Sequence, residues 1–155
     1  MEGAVNESNI ELVRSLYAAW SRGDIEAFLQ VLAPDVEWRF ADNFIYGAIN
    51  PVIGRDALRE GSLRRLKTEW DDFDAILEDM LDAGDHVIGL GHYVGRYKLT
   101  STQIRAQFAH IWTVKGAQVT KWRQYVDTRQ FADAVSGAPS ATERSPVATA
   151  LASRG

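Results

Sequence analysis

The sequence contains no cysteine, and this absence excludes several classes of protein at once. A chain without cysteine has no disulfide framework, no thiolate zinc site and no thiol nucleophile. Long apolar runs are also absent, and the opening segment MEGAVNESN has neither a basic n-region nor an apolar h-region. We therefore expect a cytoplasmic protein that does not enter a membrane.

A basic stripe of the kind that binds phosphate backbones is missing too. The 155 residues carry a net charge of −4, and acids and bases are mixed along the chain. We therefore expect no nucleic-acid partner. There is no HExxH, no acidic cluster with metal spacing, no Walker loop and no GxGxxG after a strand. These motifs are the usual signs of metal or cofactor binding, so we expect neither a metal nor a cofactor.

Aromatic residues, in contrast, are plentiful. Five tryptophans, five tyrosines and six phenylalanines supply much rigid apolar surface in a chain that is long enough for one domain. We predict that this domain spans residues 1–135. Residues 136–155 are mainly Ala, Ser, Pro, Thr and Gly, a composition that buries too little surface to order itself. We predict a disordered C-terminal tail there.

The hydrophobic pattern changes its period along the chain. Apolar residues recur at helical spacing in three early segments and one late one, which predicts helices over 8–20, 25–32, 55–70 and 128–135. Asp127 and Gln130 could form a capping box at the start of the last helix. Alternating patterns and Gly or Asp turns predict strands over 36–40, 73–81, 86–97, 102–114 and 118–126.

Four segments carry a family resemblance: YAAWSRGD (17–24), APDVEW (33–38), FAHIWTV (108–114) and WRQYVD (122–127). Together with the order of the predicted elements, they make the chain resemble the nuclear-transport-factor-2-like superfamily. This superfamily includes ketosteroid isomerase, limonene epoxide hydrolase and the SnoaL-like polyketide cyclases. The resemblance implies an α+β fold, a cone-shaped barrel of a curved, mostly antiparallel sheet packed on three N-terminal helices, with a hydrophobic pocket between them.

Members of such a superfamily share a fold and differ in chemistry, so the site residues must decide the function. The resemblance places the isomerase's general-base aspartate on Phe40 and its oxyanion-hole tyrosine near Leu16, and neither residue can do that work. The isomerase's protonated aspartic acid corresponds to His110, which could also donate a hydrogen bond. The water-orienting aspartate of the epoxide hydrolase corresponds to Gln124, an amide that cannot act as a base.

Three polar residues are the candidates for catalysis. His110 shares a strand face with Phe108 and Trp112, so we expect it to point inward, as a satisfied core residue, a ligand-binding group or an acid–base catalyst. Gln124 shares its face with apolar neighbours and needs a buried partner, which could be a ligand, His110, the backbone or water. His92 is the third candidate, although glycines on its strand leave open whether His92 or Tyr93 faces the pocket.

The remaining predictions concern the pocket walls and the outer surface of the sheet. We expect a loop over residues 41–54 to lie across the pocket mouth, and Arg123 and Tyr125 to face outward as part of a homodimer interface. Five aromatic residues are predicted to contact the ligand: Trp38, Phe40, Tyr46, Trp112 and Trp122.

The leading hypothesis is a cofactor-independent isomerase or cyclase of the SnoaL-like type, acting on a small hydrophobic carbonyl or polyketide-like molecule. In it, His110 is the proton donor or base, while His92 and Gln124 orient the substrate. The alternative is a non-catalytic protein that binds a small apolar molecule in the same pocket. A third hypothesis is that the chain is an interaction domain whose pocket is filled by its own side chains.

Overall fold

The computed structural model describes residues 2–138 and has the predicted α+β architecture. The predicted tail lies outside the described residues from position 139 onward. The helices are α1 (Glu2–Ser21), α2 (Ile25–Val31), α3 (Arg55–Leu58), a π-helical segment (Arg59–Leu63), α4 (Arg64–Glu69) and α5 (Thr128–Ser136). The strands are β1 (Leu32–Arg39), β2 (Val52–Ile53), β3 (Trp70–Ala83), β4 (His86–Tyr97), β5 (Gln103–Lys115) and β6 (Gln118–Val126).

One curved, unclosed sheet contains all six strands, in the order β2-β1-β6-β5-β4-β3. The four long strands β3 to β6 form the antiparallel meander that the alternating pattern predicted. Strand β1 lies parallel to β6, so the N-terminal part of the chain is joined to the end of the meander. The predictions of the fold class and of the meander are both confirmed.

Helix α1 begins at Glu2, six residues before its predicted start, whereas α2 follows its sequence signals closely. Apolar residues at helical spacing on α1, including Val13, Leu16 and Trp20, are buried against the sheet. Gly23 then adopts a positive φ of 75°, which glycine tolerates best. Asp24 accepts a hydrogen bond from Ala27 N at 3.1 Å and so caps α2. Within residues 2–138, no helix is long and apolar enough to cross a membrane.

The predicted third helix over 55–70 is not continuous. Gly61 has φ −97° and ψ −112°, which breaks the helical backbone inside the π-helical segment, and Trp70 already belongs to β3. Glycine is the residue that loses least by leaving helical geometry. The break turns Ser62 and Leu63 toward the interior, where both are buried.

The capping box predicted at α5 is wrong. Asp127 occupies the N-cap position, but its side chain accepts no capping hydrogen bond. Gln130 instead accepts a hydrogen bond from Arg105 N on β5 at 3.1 Å. The helix is held by packing, because Phe131 is fully buried and contacts the rings of Phe44 and Trp70. In this position α5 covers one end of the space between the sheet and the helices.

Candidate functional site

A cavity lies between the sheet and the helices, lined by the face of the sheet that carries Tyr93, His110 and Gln124, which we call the inner face. The volume within which the centre of a water-sized sphere can move inside the cavity is about 50 Å³. One buried water needs roughly 10–15 Å³ on this scale, so the cavity matches about four waters or a compact ligand of one or two rings. No Asp, Glu, Lys or Arg is among the described residues that line it.

Three tryptophans on neighbouring strands form one wall. Trp38 on β1 is in register with Trp122 on β6, which is in register with Trp112 on β5. The rings of Trp38 and Trp122 stack at 4.0 Å, and Phe40 meets Trp122 edge-on at 5.9 Å. All four residues line the cavity, where we predicted them as ligand contacts. Side chains alternate along a strand, which explains why the three tryptophans share the inner face. Contact of these residues with a ligand stays a prediction.

His110 lies at the centre of a buried hydrogen-bond network. Its Nδ1 is 2.8 Å from the hydroxyl of Tyr17, and its Nε2 is 2.6 Å from the hydroxyl of Tyr93. The indole of Trp112 donates to Tyr17 at 2.9 Å, and the amide of Gln124 donates to Tyr93 at 3.0 Å. Both imidazole nitrogens therefore have a phenol as their partner.

Burial keeps every member of this network neutral. Desolvation lowers the pKa of His110 well below its ordinary value, because a buried imidazolium would lose its hydration. Desolvation also raises the pKa of Tyr17 and of Tyr93, with the hydrogen bonds from Trp112 and Gln124 opposing that rise. At neutral pH the site therefore contains an uncharged imidazole between two uncharged phenols.

A count of protons shows that one phenol of the pair has a hydroxyl proton to spare. A neutral imidazole has one N–H and one lone pair, so it donates to one tyrosine and accepts from the other. The tyrosine that accepts from His110 also accepts from Trp112 or Gln124, and its own proton has no acceptor among the described residues. Either tautomer leaves one such proton beside the cavity.

Gly89 makes room for this arrangement. It pairs with His110 across β4 and β5, and a Cβ built on it would stand 2.2 Å from the Tyr17 hydroxyl. Real Cβ atoms essentially never approach a heavy atom that closely, so a side chain here and the Tyr17–His110 hydrogen bond exclude each other. The glycine is therefore part of the site, although it contributes no functional group.

Gln124 connects the network to the loop over residues 41–54. Its Oε1 accepts a hydrogen bond from Ala41 N at 3.2 Å, while its amide donates to Tyr93. Asn50 binds both the N–H and the carbonyl of Phe40, at 2.9 and 3.1 Å, which fixes the start of the loop. Gln124 therefore has two partners. One is the backbone, which was among the predicted alternatives, and the other is Tyr93, which was not.

His92 is on the opposite face of the sheet, which we call the outer face. Its Nδ1 is 2.5 Å from Glu78, and its neighbour Tyr93 takes the inward position. The prediction that His92 orients a substrate in the pocket is therefore wrong. Glycines 89, 91 and 95 share the inner face with Tyr93. Aromatic side chains occupy the space that a side chain would fill at Gly89 and Gly95, and the backbone carbonyl of Ile76 occupies it at Gly91.

Tyr46 does not line the cavity either. It is buried beside it, where its hydroxyl donates to Glu69 and accepts from the indole of Trp70 at 3.0 Å. The guanidinium of Arg65 lies 4.3 Å from its ring centre. The prediction of Tyr46 as a ligand contact is wrong because these partners hold it away from the pocket, and Phe44 of the same loop lines the cavity instead.

The sequence reasoning missed Tyr17, the residue next to Leu16. Tyr17 had been counted in the apolar stripe of α1, since a tyrosine at helical spacing is usually part of the core. Its position one residue after the site at which the resemblance placed a tyrosine was the signal that could have identified it. Ser62 was also missed, because the predicted helix gave no reason to turn it inward.

The comparisons with known proteins agree with this geometry. Residues 13–122 match the model of the SnoaL-like domain. An NTF2-like protein from Burkholderia thailandensis E264 is 33% identical, with a TM-score of 0.76 over 81% of this chain and 95% of that one. The protein TerC, co-crystallised with polyporic acid, is 26% identical, with a TM-score of 0.74 over 83% and 98%.

A protein of ketosteroid-isomerase-like fold from Catenulispora acidiphila DSM 44928, in complex with trimethylamine, is 22% identical. Its TM-score is 0.68 over 83% of this chain and 94% of that one, which is a likeness of fold. No curated protein sequence matches the chain. Among the side chains that the structure describes, those of residues 8–138, no three His, Cys, Asp or Glu come together as metal ligands.

Proposed function

The chain belongs to the SnoaL-like domain family, and we propose that it is a cofactor-independent isomerase or cyclase that enolises a small hydrophobic carbonyl compound. The observation that carries this proposal is the neutral network in which His110 bridges two phenols beside an apolar cavity. Such a network can move one proton from one point of a bound molecule to another. Transfer of this kind converts a ketone to its enol, which is the nucleophile for ring closure.

The proton transfer is balanced without any other reactant. In one tautomer Nδ1 of His110 donates to Tyr17, and Tyr93 donates to Nε2. Tyr17 gives its spare proton to the carbonyl oxygen and receives the Nδ1 proton. Tyr93 gives its proton to Nε2 and takes a proton from the carbon next to the carbonyl. A C–H bond and the carbonyl π bond break, an O–H bond and a C=C bond form, and the protein stays neutral.

Burial favours this concerted route over one with charged intermediates. The lowered pKa of His110 and the raised pKa values of Tyr17 and Tyr93 mean that imidazolium and phenolate are both unfavourable here. A relay in which each group loses and gains a proton together avoids both ions. Aromatic walls that exclude water strengthen the hydrogen bond from the phenol to the developing enol oxygen.

A non-catalytic binding protein is the second candidate. It is favoured by the absence of a carboxylate among the residues that line the cavity and by the occupation of both His110 nitrogens. In that case the network holds the walls in place and offers one phenol proton to a ligand. The two candidates differ in whether the bound molecule exchanges its protons.

Proton exchange at the carbon next to a carbonyl distinguishes the candidates. We would incubate the protein with 1-tetralone and 2-tetralone in D₂O and follow the loss of the α-proton signals by NMR. We expect Tyr17→Phe, Tyr93→Phe and His110→Gln each to slow the catalysed exchange at least about 100-fold, because each interrupts the relay. Binding of the ketones, measured by calorimetry, should change much less.

Tyr125→Phe is the matched control, since Tyr125 is on the outer face and half exposed. It should exchange protons at the wild-type rate. Binding without exchange would support the non-catalytic candidate. Failure of both ketones to bind would support the hypothesis of an interaction domain whose pocket is filled by its own side chains.

We also propose that the protein is a homodimer joined through the outer face. Ile76, Leu81 and Tyr125 are each more than a third exposed on this sheet, and the Arg123 guanidinium lies 5.3 Å from the Tyr125 ring centre. Apolar side chains on a wide sheet surface are suited to pairing with a second copy. Tyr125→Glu should shift the protein to monomer in analytical ultracentrifugation, and a wild-type monomer would contradict the proposal.

The cytoplasmic location expected from the sequence stays a prediction.

A further inference from the structure

Three buried polar atoms have no hydrogen-bond partner in the described part of the chain, and all three belong to residues that line the same cavity. They are Nε1 of Trp20, Oγ of Ser62 and Nε1 of Trp122. Each of these residues is less than a tenth exposed. A buried donor without a partner is costly, so their concentration in one cavity indicates that a bound molecule supplies the missing acceptors.

The three donors belong to different walls. Trp20 is on α1, Ser62 is on the π-helical segment directly after the break at Gly61, and Trp122 is on β6. The Trp20 ring contacts the rings of Phe28 and Phe73, whereas the Trp122 ring stacks on Trp38 at the His110 side. A molecule that meets more than one of these donors must therefore carry acceptor atoms at separate points of its outline.

The charge of the cavity narrows the class of ligand further. With the spare phenol proton of Tyr17 or Tyr93, the walls can donate four hydrogen bonds, and no Asp or Glu lines the cavity to accept one. No Lys or Arg lines it either, so a carboxylate or phosphate ligand would be buried without a counter-charge. The complement of these walls is a neutral molecule that has several acceptor oxygens.

The proposed relay leads to the same class by a separate argument. A neutral phenol oxygen is a weak base, so Tyr93 or Tyr17 takes a proton far more readily from a C–H that is more acidic than that of a simple ketone. A second carbonyl bonded to the same carbon supplies that acidity. Several carbonyl groups on one ring system would thus fit both the donors and the chemistry.

We propose that the substrate is a compact, neutral ring compound with two or more carbonyl groups, bound through Trp20, Ser62 and Trp122. This inference rests on the proposed function and specifies its substrate class. The tyrosine and histidine network transfers the proton, while the three donors orient the ring by its remaining oxygens.

The indole N–H signals of the protein test this proposal without any activity. The protein would be labelled with ¹⁵N at the tryptophan indoles and titrated with 1,4-naphthoquinone, 1-tetralone and naphthalene, which carry two, one and no carbonyl groups on one bicyclic frame. We expect the quinone to move the Trp20 and Trp122 signals downfield, as new N–H···O bonds form. Trp70 is the internal control, since it does not line the cavity and its indole already donates to Tyr46.

Affinity gives the second readout. We expect calorimetric Kd values to fall from naphthalene to 1-tetralone to the quinone. Ser62→Ala should weaken quinone binding about three- to tenfold, the worth of one hydrogen bond, and leave naphthalene binding within about twofold.

The outcomes separate this inference from the function on which it rests. Equal affinity for all three bicyclic compounds, with unmoved Trp20 and Trp122 signals, would overturn the donor proposal, while α-proton exchange of the tetralones could still occur. Failure of all of them to bind would overturn the proposed function and this inference together.

Discussion

The two faces of one sheet place two histidines in opposite environments. On the inner face, His110 is buried, and both its nitrogens contact the phenols of Tyr17 and Tyr93. On the outer face, His92 contacts Glu78, whose side chain is 53% exposed. The two histidines are on neighbouring strands, so the two-residue period of the backbone decides which of them becomes part of the cavity.

The difference teaches which hydrogen bonds matter in this fold. The outer pair is screened by water, and such pairs contribute little to stability. The inner bonds have no water to replace them, so losing one partner leaves a buried polar group unsatisfied. The following expectations test this contrast, beginning with the largest effect.

Replacing His110 with phenylalanine should have the largest effect. His110→Phe keeps a ring of similar size but removes a partner from both Tyr17 and Tyr93, which we expect to lower the free energy of unfolding by about 3 kcal/mol. His92→Phe, on the outer face, should lower it by less than about 1 kcal/mol. Urea unfolding followed by tryptophan fluorescence measures both. Equal losses would mean that the two faces do not differ as described.

A methyl group at Gly89 should break the inner network from the side of β4. The added Cβ would displace the Tyr17 hydroxyl, and such overpacking costs about 2 kcal/mol. In a Tyr17→Phe background the nearest atom is gone, so Gly89→Ala should then cost clearly less. A double-mutant cycle in urea would show this coupling. Strict additivity of the two substitutions would contradict the assigned role of Gly89.

The stability of the protein should depend on pH through His110. Because burial lowers the pKa of His110 in the folded protein, only the unfolded chain binds a proton there as the pH falls below about 6.5. Above that pH, protonation of His110 in the unfolded chain does not reduce the free energy of unfolding. On acidification it lowers the free energy of unfolding, by about 1 kcal/mol between pH 7 and pH 5.5. The facing phenols of Tyr17 and Tyr93 have raised pKa values and stay neutral throughout.

The measurement is the difference in unfolding free energy between wild type and His110→Gln at several pH values. Other groups titrate equally in both proteins, so the difference isolates His110. A difference that is constant from pH 7 to pH 5.5 would refute the assigned neutral state.

The smallest effect should come from the outer pair itself. Glu78→Gln removes the charge next to His92 and the distant contact with Arg105 at 4.0 Å. We expect a change in unfolding free energy of less than about 0.5 kcal/mol, with unchanged ligand binding. A loss as large as that of His110→Phe would show that the outer face also holds a structural network.

Much of the fold and part of the site could be predicted from the sequence. The alternation along β5 and β6 correctly turned His110, Trp112 and Gln124 inward, because His110 and Gln124 each share a strand face with large apolar neighbours. On β4 the same reasoning left the facing of His92 and Tyr93 open, because the glycines on the inner face gave that face no apolar pattern. Side chains and backbone of neighbouring elements occupy that space, and such long-range packing leaves no mark on the local pattern.

Other parts of the site depend on tertiary contacts in the same way. Tyr17 has the spacing of a core residue, and only its contact with His110 gives it another role. Ser62 faces the cavity because the backbone breaks at Gly61, and a single glycine in a helical pattern does not predict a break. Gln130 could have capped α5, but Arg105 N on β5 took its side-chain oxygen instead.

Because both His110 nitrogens are paired, each turnover of the proposed reaction would change the state in which the protein begins the next one. Each enolisation leaves the imidazole in the opposite tautomer, with the spare proton on Tyr93 instead of Tyr17. An identical second turnover must wait until the tautomer is reset, by the reverse reaction or by exchange with water in the emptied cavity. The unliganded protein would then be a mixture of two His110 tautomers, each able to catalyse the reaction in one direction. Product that binds the tautomer left by the previous turnover would act as a noncompetitive inhibitor.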